Sequence, residues 1–267
     1  MRRYGALFQL MVRSTIYKLL AVLAVMGAAE VGLFALKLGT TWSPAQVAAN
    51  GVPNGVDVTA YYPYSLADLV KSTHLSLVWI IGVVVFCRLM VYMAGRGRSE
   101  TLDRLGLSRR EINVLYSIYH TMALVVLYAF QAAVAVGLCL LYCRSIDAAY
   151  VGPQTVFLAF YRVPLFHSVL PLGDWVRRLF NLVLLIALGV VTAAGGQKVR
   201  DSGRQLAASI LAFLAGILSG YDMMGLNGGI AFFLLVVVLF LVNAMPQILR
   251  TRSPWGEEED DETEKTA

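Results

Sequence analysis

Charged residues are scarce in this sequence of 267 residues: Asp, Glu, Lys and Arg make up 15% of it, against about 25% in an average soluble domain. Hydrophobic residues make up 58%, above the soluble average of about 45–50%. The sequence also lacks paired carboxylates and a nucleophile with its base, which acid–base and covalent catalysis require. We therefore predict an integral membrane protein that is not an enzyme and has no catalytic residues.

Three further absences limit the chemistry. No G-x-x-x-x-G-K-[ST] phosphate loop occurs, so ATP hydrolysis by this chain is excluded. The odd set of three cysteines, Cys87, Cys139 and Cys143, has no ligand spacing and predicts buried thiols rather than disulfides. His74 and His167 lack a third ligand nearby, so we predict no metal site and no cofactor.

The basic residues lie in short clusters beside apolar runs, so the net charge of +5 indicates membrane orientation rather than a nucleic-acid partner. About 20 apolar residues cross the bilayer as a helix. The sequence therefore predicts an all-α polytopic protein whose single domain, 1–252, has six transmembrane helices in the lipid bilayer. The predicted spans are 16–37, 74–95, 119–142, 178–196, 205–220 and 228–249.

The Lys and Arg residues are unevenly divided between the two sides of these spans. One side has Lys37, Lys71, Arg144, Arg162, Arg177 and Arg178. The other has fourteen, namely Arg2, Arg3, Arg13, Lys18, Arg96, Arg98, Arg104, Arg109, Arg110, Lys198, Arg200, Arg204, Arg250 and Arg252. Because basic residues are retained in the cytoplasm, we predict a multi-pass plasma-membrane protein with both termini cytoplasmic.

Three segments outside the spans have their own character. Residues 2–15 are amphipathic and predict an interfacial helix, whereas the acidic tail 253–267 is predicted to be disordered. The outer loop 151–175 is too aromatic for an ordinary polar loop and too interrupted by proline to span. An interfacial or re-entrant segment fits it best.

The inner loop after the second span contains two helix-start signals. Ser99 can cap a short helix that Gly106 ends, and Ser108 with Glu111 forms an S-x-x-E capping box for the next helix. The short helix presents apolar Leu102 and Leu105 between charged residues. It is suited to docking in a cleft of another protein, and a solvated loop helix is the alternative.

The order of residues in this loop resembles the stretch that follows the second span in ABC-2 type transporter permeases, roughly E-x-G-T-L-x-x-L-x-x-T/S-P-x-S-R-x-E. The usual proline before the serine is absent here. The matching residues are Glu100, Thr101, Leu102, Leu105, Ser108, Arg109 and Glu111.

This resemblance implies a permease of six spans that works with a second permease copy and with ABC ATPase subunits. It also implies that 99–107 is the coupling-helix region, with Glu100, Leu102, Asp103, Arg104 and Leu105 as its ATPase-coupling residues. One feature departs from the family: the connection between spans five and six, 221–227, is too short for the family's re-entrant hairpin.

Ionisable groups inside spans are functional candidates by default. Glu30 and Arg88 differ in depth by about 10 Å at 1.5 Å per residue, so we predict no salt bridge between them. Arg88 is expected to reach the inner interface, beside Arg96 and Arg98. Glu30 is a candidate for the translocation path, with a protonated or hydrogen-bonded packing role as the alternative. Gln131 is a second candidate, although it is better suited to bonding a neighbouring helix.

Small residues recur at four-residue spacing in two spans: Ala208, Ala212, Gly216 and Gly220 in one, and Ala129, Ala133 and Gly137 in the other. They predict close helix packing within the chain, with a homodimer seam as the alternative. His120 is predicted to lie at the membrane interface.

The leading functional hypothesis is the permease subunit of an ATP-driven exporter of peptides, lipids or drug-like molecules. An ion-gradient-driven secondary transporter and a non-transporting scaffold or immunity protein are the alternatives.

Overall fold

The computed structural model describes residues 2–41, 65–96, 108–146, 151–195 and 209–217, together with 237–238, 241–242 and 244–245. Every regular element within these residues is a helix, and 209–217 is helical as well. The helices are α1 (Arg2–Thr41), α2 (Leu66–Ser72), α3 (Leu75–Arg96), α4 (Arg109–Ser145), α5 (Thr155–Arg162), α6 (Pro164–Val169) and α7 (Trp175–Gly195).

Four helices of this part of the chain are long and apolar enough to cross a membrane: Tyr4–Gly39, Leu75–Ala94, Arg110–Ser145 and Trp175–Ala194. They contain or closely match the first four predicted spans, so the chain is an all-helical membrane protein in the part that is described. Of the fifth and sixth predicted spans, 209–217 and three pairs of helical residues are described, and the rest lies outside the described residues.

The helix α1 is longer than its predicted span, 16–37. It continues without interruption over 40 residues, about 60 Å at 1.5 Å per residue, whereas the hydrocarbon core is about 30 Å thick. Residues 2–15 therefore continue directly into the spanning helix, and their predicted position in the membrane interface stays a prediction. No proline occurs between Arg2 and Thr41 to break the hydrogen-bond ladder.

The spanning helices alternate in direction. Tyr4 bonds Glu111, so the starts of α1 and α4 lie together. Lys18 Nζ of α1 donates to Met93 Sδ of α3 over 3.4 Å, and His120 of α4 bonds Thr192 of α7. The last turns of α3 and α7 therefore lie at the same end of the bundle as the first turns of α1 and α4. We call this the N-terminal end of the bundle and the opposite one the cap end.

Large apolar side chains from all four spanning helices form one core. Phe34 of α1, Trp79 and Phe86 of α3, Leu124 of α4 and Leu188 of α7 are each at most 1% exposed and belong to the same hydrophobic cluster. The helix α4 packs against both α1 and α7, and α3 packs against the same two helices. Cys87 and Cys139 are buried and all three cysteines are free, as predicted.

The cap end is covered by the short helices α2, α5 and α6. The predicted non-spanning loop 151–175 forms α5 and α6, which have eight and six residues and meet at Val163 and Pro164. Proline suits the first position of α6 because its missing N–H has no helical partner there. Phe160 and Phe166 are buried, and Asn181 of α7 donates to the carbonyl of Ser168 over 2.6 Å.

Glycine allows the closest helix contacts. A Cβ at Gly189 of α7 would lie 2.9 Å from the backbone nitrogen of Thr121 in α4, and one at Gly216 would lie 3.1 Å from the Cα of Ile80 in α3. Ala212 is also buried, so the predicted small-residue contact is confirmed for Ala212 and Gly216. Ala208 and Gly220 lie outside the described residues.

The prediction of close packing within the chain is wrong for the small residues of α4. Ala129, Ala133 and Gly137 share an exposed face of the helix. A Cβ added at Gly137 would have no neighbour within 4 Å. The rotation of α4 instead turns the bulkier residues of its other faces toward α1 and α7.

Candidate functional site

A deeply buried polar contact joins the two candidates for the translocation path. Glu30 projects from α1 and Gln131 from α4, and they are 0% and 1% exposed. Gln131 Nε2 donates to Glu30 Oε2 over 2.8 Å. One turn before Glu30, Gly27 lets the helices approach, because a Cβ there would lie 2.8 Å from Phe130 Cζ. Both side chains are enclosed between α1 and α4 and do not face the surface of the bundle.

Each side chain of this pair has one hydrogen-bonded polar atom and one buried oxygen without a partner among the described residues. Glu30 Oε1 and Gln131 Oε1 are buried and have no hydrogen-bond partner among the residues that the structure describes. The prediction that Gln131 bonds a neighbouring helix is confirmed, and the helix is the one that carries Glu30. The sequence did not reveal this pairing, because the two residues are 101 positions apart.

Arg88 lies on α3, away from this pair. Its Nη1 donates to Ser209 Oγ over 3.2 Å, so the guanidinium is held against the helical segment 209–217. Glu30 bonds Gln131 rather than Arg88, in agreement with the predicted absence of a salt bridge between them. The side chain of Arg96 and the whole of Arg98 lie outside the described residues, so a cluster of the three arginines stays a prediction.

At the N-terminal end, the predicted capping box is confirmed. Ser108 Oγ accepts from the backbone nitrogen of Glu111 over 3.3 Å, and Glu111 Oε2 accepts from the backbone nitrogen of Ser108 over 2.8 Å. The other oxygen, Glu111 Oε1, accepts from the Tyr4 hydroxyl over 2.5 Å. One carboxylate thus fixes the start of α4 and joins it to the start of α1.

A second α1–α4 contact lies deeper in the bundle. Thr15 and Tyr119 share a hydrogen bond, and the Thr15 hydroxyl donates to the carbonyl of Met11 over 2.8 Å. Because that hydroxyl has only one hydrogen, we assign Tyr119 as the donor to Thr15. Leu7, Met11 and Tyr119 form a small buried cluster around this bond, with Phe8 edge-on to the Tyr119 ring.

His120 is the buried polar residue at which α4 meets α7. It is 1% exposed, and its predicted position at the membrane interface stays a prediction. Its Nδ1 lies 3.0 Å from Thr192 Oγ1, and that hydroxyl donates to the carbonyl of Leu188 over 2.7 Å. The network therefore assigns the proton of the imidazole to Nδ1. His120 also borders a small cavity between α1, α3 and α4, together with Met11, Met90, Met93 and Tyr116.

The predicted coupling-helix region 99–107 lies outside the described residues, and so do the predicted coupling residues Glu100, Leu102, Asp103, Arg104 and Leu105. The same holds for the tail 253–267. The structure does describe the two ends that this region joins, Arg96 of α3 and Arg109 of α4, and both are at the N-terminal end of the bundle. Within the described ranges, no three His, Cys, Asp or Glu side chains gather into a metal-binding group.

Comparison with known proteins gives no further assignment. No protein-family model, no curated protein and no solved structure matches the chain. The likeness to ABC-2 permeases therefore depends on the residues between Glu100 and Glu111 and on the arrangement of the spans.

Proposed function

We propose that this chain is the membrane-spanning permease subunit of an ATP-driven exporter of the ABC-2 type. It translocates a peptide, lipid or drug-like molecule with energy from a separate ATPase subunit and acts with a second permease copy. Three features support the proposal: the membrane-spanning helices, the absence of a phosphate loop in the sequence and the resemblance of residues 100–111 to the family's coupling region.

The observation that carries the proposal is the position of Glu111. This residue ends the family-like motif, caps α4 and accepts a hydrogen bond from Tyr4 of α1. A force applied to 99–107 would reach the start of α4 first, and the Glu111 carboxylate would pass it to α1. Because α1 and α4 are continuous helices of 40 and 37 residues, a tilt at one end displaces the other end too.

The docking segment supplies the test. Burying Leu102 and Leu105 in an ATPase cleft contributes at most about 1.5–3 kcal/mol for each leucine. The double variant Leu102→Asp/Leu105→Asp should therefore lose the co-purified ATPase and substrate-stimulated hydrolysis. Insertion and thermal stability of the permease should persist. Glu100→Lys should weaken docking less, since a rim charge mainly affects association rate and salt sensitivity.

Val199→Asp is the matched control. It places the same acidic side chain in the other predicted inner loop, 197–204, and should leave ATPase binding intact. A double variant that retains a bound, active ATPase would overturn the docking assignment. A wild-type chain that recruits no ATPase would overturn the exporter itself.

Glu30 favours a second candidate, a secondary transporter driven by a proton gradient. A carboxyl group buried between two spanning helices is a feature of proton relays in pumps and transporters. Substrate flux driven by a pH gradient in vesicles containing the purified chain alone would favour this candidate. Binding of a partner with neither ATPase stimulation nor flux would identify a scaffold or immunity protein instead.

The orientation is part of the proposal. With fourteen basic residues on one side and six on the other, both termini are placed in the cytoplasm of a plasma-membrane protein. Tags at either terminus should be inaccessible to impermeant reagents in intact cells, whereas residues 40–70 should be labelled. External labelling of the C-terminal tail would contradict the six-span arrangement.

A further inference from the structure

We propose that Glu30 and Gln131 form a proton-binding site in the contact between α1 and α4. The proton resides on Glu30 Oε1 and is hydrogen-bonded to Gln131 Oε1. This inference depends on the geometry of the pair and not on the exporter proposal, so it can fail or succeed independently of ATPase binding.

The hydrogen-bond inventory of the pair is the first argument. An ionised carboxylate only accepts, and the carbonyl oxygen of an amide only accepts. Gln131 Nε2 already donates to Glu30 Oε2 over 2.8 Å, which leaves one buried acceptor on each side chain without a partner among the described residues. A buried acceptor without a donor costs free energy. One proton on Glu30 Oε1 supplies a donor for Gln131 Oε1 and closes a cyclic acid–amide pair.

The described residues beside the pair supply no charge to balance a carboxylate. The wall beside the pair is apolar: Gly27 is backed by Phe130 and Val134 of α4, and Met26 is packed on Gly82 of α3. A bare carboxylate with one hydrogen bond is strongly disfavoured in such an environment inside a membrane. The neutral acid is compatible with it.

Charged and titratable side chains of α1 and of the helices packed against it are engaged elsewhere or distant. Lys37 is seven residues from Glu30 along α1, about 10 Å at 1.5 Å per residue, and Lys18 is farther. On α3, Arg88 bonds Ser209, and on α2, Asp68 bonds Ser65. Other titratable groups on these helices include Lys71 of α2, Cys87 of α3, and Tyr128 and Cys139 of α4. None of them forms a bond with Glu30.

The number of available oxygens selects a proton over a metal ion. A calcium ion takes six to eight oxygen ligands, which is three to four times the two unpartnered oxygens of this pair. The pair has two unpartnered oxygens among the described residues, and Phe130 presses so close to Gly27 that a single added Cβ would not fit. Two oxygens suffice for one shared proton.

The site links protonation to the α1–α4 contact. Loss of the proton leaves Glu30 as a buried carboxylate with one hydrogen bond among the described residues, so the closed contact is favoured only in the protonated form. By linkage, a change that separates α1 from α4 and admits water promotes proton release, and proton release promotes separation. The site therefore binds a proton and exchanges it with water when α1 and α4 separate.

Infrared spectroscopy of the full chain in lipid tests the site. The wild-type chain at neutral pH should show the carbonyl band of a protonated carboxylic acid, which shifts in deuterated water. Glu30→Gln should remove this band. Glu111→Gln is the matched control: it alters an exposed carboxylate at the N-terminal end of the bundle and should leave the band in place.

The reversed pair Glu30→Gln/Gln131→Glu retains one acid and one amide, so the acid band should persist. In Gln131→Leu the band should move toward the position of a carboxyl group without a hydrogen bond. The wild-type spectrum decides the question without any variant. A folded wild-type chain with no acid band at neutral pH, or loss of carboxylate bands instead of the acid band in Glu30→Gln, overturns the proposal.

Discussion

The helix α4 meets its two neighbours in different ways. Against α7 the contact is close and mainly apolar: Gly189 brings the backbones together at Thr121, and Leu124, Ala187 and Leu188 are fully buried. Against α1, three hydrogen-bonded pairs lie at three depths: Tyr4–Glu111, Thr15–Tyr119 and Glu30–Gln131.

The difference shows two solutions to one problem. Lipid chains are as apolar as leucine, so spanning helices associate through close packing and interhelical hydrogen bonds rather than through the hydrophobic effect. The α4–α7 contact depends on close packing of the two helices, which persists as long as small residues such as Gly189 remain in the interface. The α1–α4 contact depends on donors and acceptors, which a proton or a force at the helix ends can rearrange. We therefore expect α4 and α7 to behave as one body and α1 to be the more adjustable partner.

The largest effect is expected from Gly189→Leu, which attacks the shape-dependent contact. Overpacking commonly destabilises by about 1–3 kcal/mol, and this site should reach the upper end because the obstacle includes the backbone of Thr121. Gly137→Leu is the matched control, since a Cβ there meets nothing within 4 Å. Thermal unfolding in detergent measures both, and equal Tm values for the two variants would contradict the tight α4–α7 contact.

The next effect is expected from Gln131→Leu, which removes the only donor recorded on Glu30 among the described residues. Leaving a buried polar group without its partner costs about 1–3 kcal/mol. The double variant Glu30→Leu/Gln131→Leu replaces both partners with apolar groups and should recover most of the lost stability. A double variant that is less stable than the single one would argue against a mutually dependent pair.

Thr192→Val tests the polar contact inside the otherwise apolar α4–α7 interface. It leaves His120 Nδ1 without its acceptor at nearly constant side-chain volume. Hydrogen bonds between spanning helices contribute about 0.6 kcal/mol on average and about 1.7 at most, so a small decrease in Tm is expected. Thr192→Ser retains the hydroxyl and should behave as the wild type. If Thr192→Val is as stable as the wild type, the bond to His120 contributes nothing to stability.

The smallest change in stability is expected from Tyr4→Phe, because its bond to Glu111 is exposed. Thermal unfolding should match the wild type within experimental error. If the proposed exporter transmits force through Glu111, substrate-stimulated ATPase activity should nevertheless fall. If substrate still stimulates the ATPase fully in Tyr4→Phe, the Tyr4–Glu111 bond does not transmit the force. That result would not bear on the docking of residues 99–107 on the ATPase.

The local features could be predicted because they depend on neighbouring residues. The four described spans follow from apolar runs of sufficient length, and the capping box follows from Ser108 and Glu111 three positions apart. The helix limits were less accurate: an apolar run marks the part of a helix inside hydrocarbon, whereas α1 begins well before its predicted span, at Arg2. Since a helix satisfies its own backbone, it can continue beyond the membrane.

The pairings could not be predicted in the same way. A polar residue inside a span needs a partner, but the partner of Glu30 depends on the rotation and tilt of α1 against α4. The same geometric freedom explains the wrong prediction for Ala129, Ala133 and Gly137, which face outward. The spacing of residues along the sequence shows which of them share a helix face. It does not show which neighbouring helix that face contacts.

The sequence by itself determined the environment of this protein and the positions of its first four spanning helices, because transfer into lipid depends on the residues of each segment alone. Only the tertiary structure decided that Glu30 meets Gln131, that Glu111 joins α4 to Tyr4 and that Gly189 admits Thr121. These contacts arise from how whole helices rotate and cross. That choice depends on the fit of many side chains at once, which no single segment contains.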